Sequence, residues 1–226
     1  MYIMYACIHI SQAHYHRVFQ ARFCPEQICF ITHDATLAFP IPRFARRQLS
    51  SMNRAHKLEL GVTGLTNFSA QLGNYFYHFK HKFSKNCDLV ISEWYLHLQS
   101  LKMSKFPSSR AKVLVLELDN CVSDNKNIYV FAFLSMLIYW GWYECVFLTF
   151  LVEGHTHNQQ DATHSAHNVG LRASVCTNPI NLIEKYNCIF GTTDHASKYI
   201  FAIFCFYVNV IVAVQCIKLG NISNSL

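Results

Sequence analysis

The sequence predicts an α/β domain built on a mixed five-stranded sheet with helices on both faces. Three observations carry this prediction: short apolar, β-branched runs bounded by turn residues, helical spacing of apolar residues between them, and three strands that precede alternating helices and strands. Parallel strands need helical crossovers, whereas antiparallel strands can be joined by tight turns. The order β-β-β-α-β-α-β-α therefore indicates one mixed sheet covered by helices.

The first three predicted elements are strands. Residues 28–33 (ICFITH) are apolar and β-prone, run into Asp34 and are followed by a Pro-Ile-Pro breaker at 40–42. Alternation over 58–65 and an aromatic-rich run over 74–80 predict two further strands. The glycine turn between these two runs indicates an antiparallel pair.

The middle of the chain predicts a helix and then a central strand. Apolar residues recur at helical spacing over 88–101, as in a helix that packs on a sheet. The run 113–118 (VLVLEL) is almost continuously apolar, as expected of a strand covered on both faces, and it leads directly into Asp119.

Three more elements complete the predicted domain. Ser123 is the expected N-cap of a helix that ends at Gly141, residues 145–152 (CVFLTFLV) predict a buried strand, and 158–168 predicts a polar helix. The whole order is the one that ribonuclease-H-like nucleases, integrases and transposases share. The expected division is an N-terminal segment over 1–27, the domain over 28–190 and a hydrophobic tail over 191–226.

Three aspartates occupy special places in this order. Asp34 follows the first strand, Asp119 follows the strand with the longest apolar run, and Asp161 opens the last helix. In this topology the three positions converge, and clustered carboxylates repel one another unless a cation neutralises them. Hard oxygen ligands select Mg²⁺ or Mn²⁺, and two such ions can support phosphodiester cleavage. The sequence therefore predicts Asp34, Asp119 and Asp161 as catalytic metal ligands.

Histidines lie on both sides of Asp161 in the sequence. His155 lies near Asp161 and is a candidate to act on a substrate phosphate or to steady a carboxylate. The alternative is that His155, His157 and His164 bind Zn²⁺ through their imidazole nitrogens, which would make residues 155–167 a zinc site.

Composition narrows the class of protein without deciding its function. The chain of 226 residues is 52% hydrophobic and 14% charged, which excludes a disordered chain. A net charge of +6 suits a polyanionic partner without requiring one. Ten scattered cysteines with no C-x-x-C pair, and an N-terminus with no cationic start before its apolar residues, favour a reduced setting in nucleus or cytoplasm.

Two motifs resemble an uncharacterised eukaryotic family, much of it linked to mobile elements. They are the Leu118-Asp119-Asn120-Cys121 run with Asn125-Lys126-Asn127 after it, and Gly154-His155-Thr156-His157 with Asp161. The resemblance covers roughly residues 15–186 and implies a ribonuclease-H-like, transposase-related domain. It places Asn120, Asn125 and Lys126 in the motif as candidate nucleic-acid contacts, with Lys126 on a phosphate.

The function predicted from these residues is metal-dependent phosphodiester cleavage or strand transfer on DNA. Two departures from the family pattern, Ala35 in place of glycine and Asn168 in place of an acidic residue, support an alternative in which the domain is inactive or truncated and only binds a partner. No zinc finger or helix-turn-helix pattern precedes the domain, so specific DNA binding would need another chain or further sequence.

The segment 199–217 is a candidate membrane span by hydropathy. It has nineteen residues with only Asn209 and Gln215 strongly polar, and Lys198 and Lys218 flank it. Its β-branched and aromatic content fits buried strands as well, so a membrane location stands as the alternative to nucleus or cytoplasm.

Overall fold

The fold is a mixed sheet with helices on both faces, as the sequence predicts. A computed structural model describes residues 2–35, 38–44, 57–80, 86–119, 125–151, 159–172, 174–190, 201–207 and 210–216. The helices are α1 (Tyr2–Phe23), α2 (Cys87–Lys102), α3 (Ile128–Tyr139), α4 (Gln159–Arg172) and α5 (Pro179–Phe190). The strands are β1 (Ile28–Ala35), β2 (Phe39–Ile41), β3 (Leu58–Asn67), β4 (Leu72–Phe79), β5 (Val113–Leu118), β6 (Cys145–Phe150), β7 (Phe201–Tyr207) and β8 (Val210–Cys216).

Five strands form the predicted centre of the sheet, in the order β4-β3-β1-β5-β6. β1 pairs antiparallel with β3 and parallel with β5, β3 pairs antiparallel with β4, and β5 pairs parallel with β6. The parallel strands β1, β5 and β6 therefore end at the same edge of the sheet. This arrangement confirms the predicted mixed sheet and makes that edge the place where functional residues would gather.

One face of the sheet is covered by α2 and α3. Cys29 and Ile31 of β1 share this face with Leu114, Leu116 and Leu118 of β5, because registered partners lie on the same side of a pleated sheet. Trp94, Leu98, Phe133 and Leu137 from the two helices complete the core. Burying a large apolar side chain of this kind contributes about 1.5–3 kcal/mol, so this layer holds much of the stability of the fold.

The opposite face carries α1 and the helices α4 and α5. Ala21 of α1 packs with Phe30 of β1 and Val115 of β5, while Leu171 and Leu182 pack over β3 and β4. Helices therefore lie on both faces, as predicted. The N-terminal segment contributes a helix to this layer, and the boundaries of the three-part division stay a prediction.

The described sheet has eight strands, not five. β2 pairs with β3 inside the segment that was predicted to be a proline breaker. β7 and β8 form an antiparallel pair in the C-terminal tail, and β7 continues the sheet beside β4.

The prediction of a helical membrane span over 199–217 is therefore wrong, because the described residues of this segment form strands. In the residues that the structure covers, no helix is both long and apolar enough to cross a bilayer.

The N-cap of α3 also differs from the prediction. α3 begins after Asn127, whose side chain accepts hydrogen bonds from the backbone N–H groups of Tyr129 (3.1 Å) and Val130 (3.0 Å). The predicted cap, Ser123, lies outside the described residues. Gly141 follows the helix with a φ of 71°, a conformation that favours glycine and confirms the predicted stop.

Candidate acidic site at the ends of β1 and β5

Asp34 and Asp119 lie side by side at one edge of the sheet. The last registered pair of β1 and β5 is His33 with Leu118. Asp34 directly follows His33, and Asp119 directly follows Leu118. Neighbouring strands are about 4.8 Å apart, so the two backbones bring both carboxylates to one place. Both side chains are half-buried. The structure thus brings together the two aspartates that the sequence places at strand ends.

Asn125 holds Asp119 in place. Its Nδ2 donates to the Asp119 carboxylate and, at 3.3 Å, to the Asp119 carbonyl oxygen. The Asn125 side chain is only 3% exposed. These hydrogen bonds position Asp119, and the nucleic-acid contact of Asn125 stays a prediction.

The oxygen of the Asn125 side-chain amide has no hydrogen-bond partner in the described part of the chain. Among the described residues, Asn125 Oδ1 is buried and makes no hydrogen bond. An unsatisfied buried carbonyl is costly, and it lies beside a carboxylate. Oxygen donors of this kind, with Asp34 and Asp119, match the ligand preference of Mg²⁺ and Mn²⁺. The donor set fits a hard divalent cation.

The start of α4 lies near the same edge. His164 is buried, and its Nε2 donates to the backbone carbonyl oxygen of Asp34 at 3.4 Å. Asp161 is one helical turn earlier, on the same side of α4, because residues three apart in a helix are neighbours. The side chain of Asp161 lies outside the described part of the chain, so its role as a third ligand stays a prediction.

The zinc alternative gains no support from the described residues. Within them, no three His, Cys, Asp or Glu side chains form a group that could hold a metal ion, and this holds for the aspartate set as well as for the zinc set. His164 uses one ring nitrogen on the Asp34 backbone, and His155 and His157 lie outside the described residues. The proposed roles of both histidines stay untested.

The remaining candidate contacts give a mixed result. Lys126 is half-exposed, and its Nζ lies 4.6 Å from the centroid of the Phe150 ring at the end of β6. Phe150 ends β6 at the same edge of the sheet as Asp34 and Asp119, and the phosphate contact of Lys126 stays a prediction. Asn120 lies outside the described residues.

Sequence reasoning missed a buried carboxylate two residues before Asp119. Glu117 of β5 is 1% exposed, receives a hydrogen bond from His14 Nδ1 at 2.6 Å and forms an ion pair with Arg17. Burial alone would raise the pKa of Glu117, but the hydrogen bonds and charges of His14 and Arg17 outweigh it and lower that pKa. The signal was present, since a lone acid in an apolar strand requires a buried partner.

A second polar network lies on the other face of the sheet, beneath α2. His33 Nε2 donates to Glu93 Oε2 at 3.1 Å, and both side chains are buried. His97 lies between the amides of Asn67 and Asn74. Burial, and next the charge of His33, lower the pKa of His97 to about 4, so His97 is neutral in the fold. No pattern in the sequence distinguished these histidines from exposed ones.

Comparison with solved structures supports the fold. The Mos1 transposase paired-end complex with left transposon end superposes with a TM-score of 0.53 and 13% identity, covering 84% of this chain and 53% of that chain. The Mos1 strand transfer complex gives a TM-score of 0.50 and 12% identity over the same shares. The chain thus has the ribonuclease-H-like fold of this transposase and spans about half of its length.

Comparison by sequence identifies the family. No curated protein matches the chain. Residues 50–210 match the family described as domain of unknown function DUF7869, a range that includes Asp119 and Asp161 and begins after Asp34. Because the match covers more than half of the 226 residues, the chain belongs to the DUF7869 family.

Proposed function

We propose that this chain is a transposase-derived domain that cleaves or transfers phosphodiester bonds of DNA with a divalent cation. The observation that carries the proposal is the side-by-side placement of Asp34 and Asp119 after the last registered pair of two parallel strands. Carboxylates at neighbouring strand positions repel each other, and a cation that both of them bind relieves that repulsion. A bound cation would turn this cost into a gain.

The proposed roles follow from position. Asp34 and Asp119 would hold Mg²⁺ or Mn²⁺, and Asp161 at the start of α4 would complete the set. The unpartnered Asn125 Oδ1 is available beside Asp119. When bound, such a cation makes water or a hydroxyl group a better nucleophile and stabilises the leaving oxygen. Asn125 would fix the orientation of Asp119, and Lys126 would contact a substrate phosphate.

DNA is the proposed substrate for two reasons. The similar solved structures are named as a transposon-end complex and a strand transfer complex of Mos1 transposase, and this chain shares their fold. The net charge of +6 favours a polyanion. A DNA substrate would place the protein in the nucleus.

Thermal unfolding with Mg²⁺, Mn²⁺ or EDTA tests the cation site. A ligand at a hundred times its Kd stabilises the folded state by about 2.7 kcal/mol, so the wild type should melt higher with either ion than with EDTA. Asp119→Asn should lose this response. In EDTA it should be at least as stable as the wild type, because the variant removes the repulsion from Asp34. Glu144→Gln, at the exposed Lys112 ion pair, is the control and should keep the response.

Nicking of supercoiled plasmid tests the activity itself. The wild type should convert the plasmid to the open circular form in Mn²⁺ or Mg²⁺, and Asp34→Asn, Asp119→Asn and Asp161→Asn should each lose this activity while Glu144→Gln keeps it. A cation response without nicking would leave a metal-binding domain that only binds a partner. Equal melting of wild type and Asp119→Asn in every buffer would refute the cation site.

A further inference from the structure

Helix α3 is apolar all round, although only one side of it packs on the sheet. Its buried side consists of Val130, Phe133, Leu134 and Leu137. The other side is also apolar and faces solvent. A helix that covers one face of a sheet needs a single apolar stripe, so the second stripe is not explained by the fold.

The outward side of α3 is large. Tyr139 is 87% exposed, Ile128 76% and Tyr129 67%, and Tyr95 and Trp140 extend the same apolar surface. With Phe131, Met136 and Ile138, these side chains expose roughly 1,000 Å². The largest apolar patch on an ordinary monomer is about 300–600 Å². One side of a stable protein interface buries about 800 Å². This surface, the outer face of α3, is therefore of interface size.

The pattern within this face suits another helix. Ile128, Ala132, Ser135 and Tyr139 are exposed and follow the alternating four- and three-residue spacing of a helix-pairing seam. The two middle residues are small, which lets a second backbone approach closely. Ser135 Oγ already donates to the Phe131 carbonyl oxygen at 2.9 Å, so burying it would leave no hydroxyl without a partner.

Strand β6, against which α3 packs, is an edge strand that is also uncharged. β6 is the outermost strand of the sheet, and in the described part of the chain only β5 pairs with it. Its sequence CVFLTF contains no charged residue and no proline, the residues with which proteins usually protect an exposed edge. Val146, Leu148 and Phe150 of this strand project toward the α2 and α3 layer, whereas the exposed Phe147 is registered with Val115 and lies on the α1 face.

These observations identify the occupant by its chemistry. α3 and β6 carry no charged side chain, so neither a nucleic acid nor a charged protein is selected. The chain itself has a net charge of +6, and two copies repel least where the surface has no charge. We infer that the outer face of α3 is a homodimer interface, in which the α3 helices of two copies pack on each other.

Sedimentation equilibrium of the full chain tests this inference, and it is independent of any cation or nuclease activity. The wild type should be a dimer at micromolar concentrations and dissociate on dilution. Ile128→Glu and Tyr139→Lys should raise the dimer Kd roughly tenfold or more, because each buries a charge in the interface. Both charges favour the helix dipole at their own end of α3, so the helix itself should be preserved.

The matched control is Val169→Glu, an exposed apolar position on α4 at the opposite face of the sheet, which should leave the Kd unchanged. Thermal unfolding of each variant shows whether the monomer fold is intact. A wild type that stays monomeric at every concentration overturns the inference, and so do folded α3 variants that dimerise like the wild type. Irreversible aggregates in place of a discrete dimer overturn it as well.

Discussion

Glu117 ties the N-terminal helix to the central strand of the sheet. The two residues of the Arg17–Glu117 ion pair differ in burial, since the Glu117 side chain is 1% exposed whereas the Arg17 side chain is 27% exposed. Removing Arg17 leaves the Glu117 carboxylate in the core with one of its two partners, His14, whereas removing the acid leaves a cation that reaches water. The consequences of the two changes should therefore be unequal, because an uncompensated buried charge costs far more than a solvated one.

We predict that Arg17→Leu lowers the free energy of unfolding by about 3 kcal/mol, whereas Glu117→Gln lowers it by only about 1 kcal/mol. Urea unfolding at neutral pH measures both. Arg22→Leu, which removes an exposed cation from the last turn of the same helix, is the control and should cost less than about 1 kcal/mol. Equal losses for Arg17→Leu and Glu117→Gln would show that the pair does not depend on burial.

At this scale the sequence predicted positions but not partners. Asp34 and Asp119 could be identified because a polar residue directly after an apolar strand is placed by local structure alone. His14 pairs with Glu117 across 103 residues of chain, and no local pattern reports that distance. Asn125 matched a motif, but its hydrogen bonds to Asp119 appear only in the structure.

Side-chain caps fix the first residues of helices α2 and α3. Asn86 and Asn127 both accept hydrogen bonds from the first turn of the following helix, α2 and α3 respectively. Both caps are asparagines, which satisfy backbone donors that no helical carbonyl can reach.

Asn127→Ala should lower the free energy of unfolding by about 1 kcal/mol, since two backbone donors lose their acceptor. Asn127→Asp and Asn127→Ser, which keep an acceptor at this position, should stay within a few tenths of a kcal/mol of the wild type. Thermal unfolding with all three variants measures the difference. If Asn127→Ser were as destabilised as Asn127→Ala, the cap would not be the cause.

Elements whose apolar residues recur at regular spacing were predicted well, and elements without such spacing were not. The runs at β1, β5 and β6 and the helical spacing of α2 gave bounds within a few residues of the structure. The segment of β7 and β8 is apolar without helical or alternating order, so hydropathy alone favoured a span where the backbone forms two strands. β2 was missed because prolines usually exclude pairing, yet an edge position tolerates them.

At the scale of the whole molecule, the sheet separates two buried polar networks. One face holds His33, Glu93 and His97 beneath α2, and the other holds Glu117 beneath α1. Such networks stabilise a fold only in one protonation state. The stability of this protein should therefore depend on pH, with each network contributing over its own range.

The His97 contribution should be lost on mild acidification. Its pKa is lowered from 6.5 to about 4 in the fold, so the unfolded chain binds the proton more readily between these values. The stability is complete above pH 6.5 and decreases by up to about 3 kcal/mol as the pH falls to 4. The lowered pKa of Glu117 adds a second loss, which begins only as the pH falls below its ordinary value of 4.5.

Urea unfolding at a series of pH values separates these contributions. His97→Gln should flatten the dependence between pH 6.5 and 4, because glutamine keeps polar contacts with Asn67 and Asn74 but does not titrate. His16→Gln, at an exposed histidine of α1, should leave the full slope in place. A wild type whose stability is constant across this interval would show that burial does not lower the pKa of His97 in the fold.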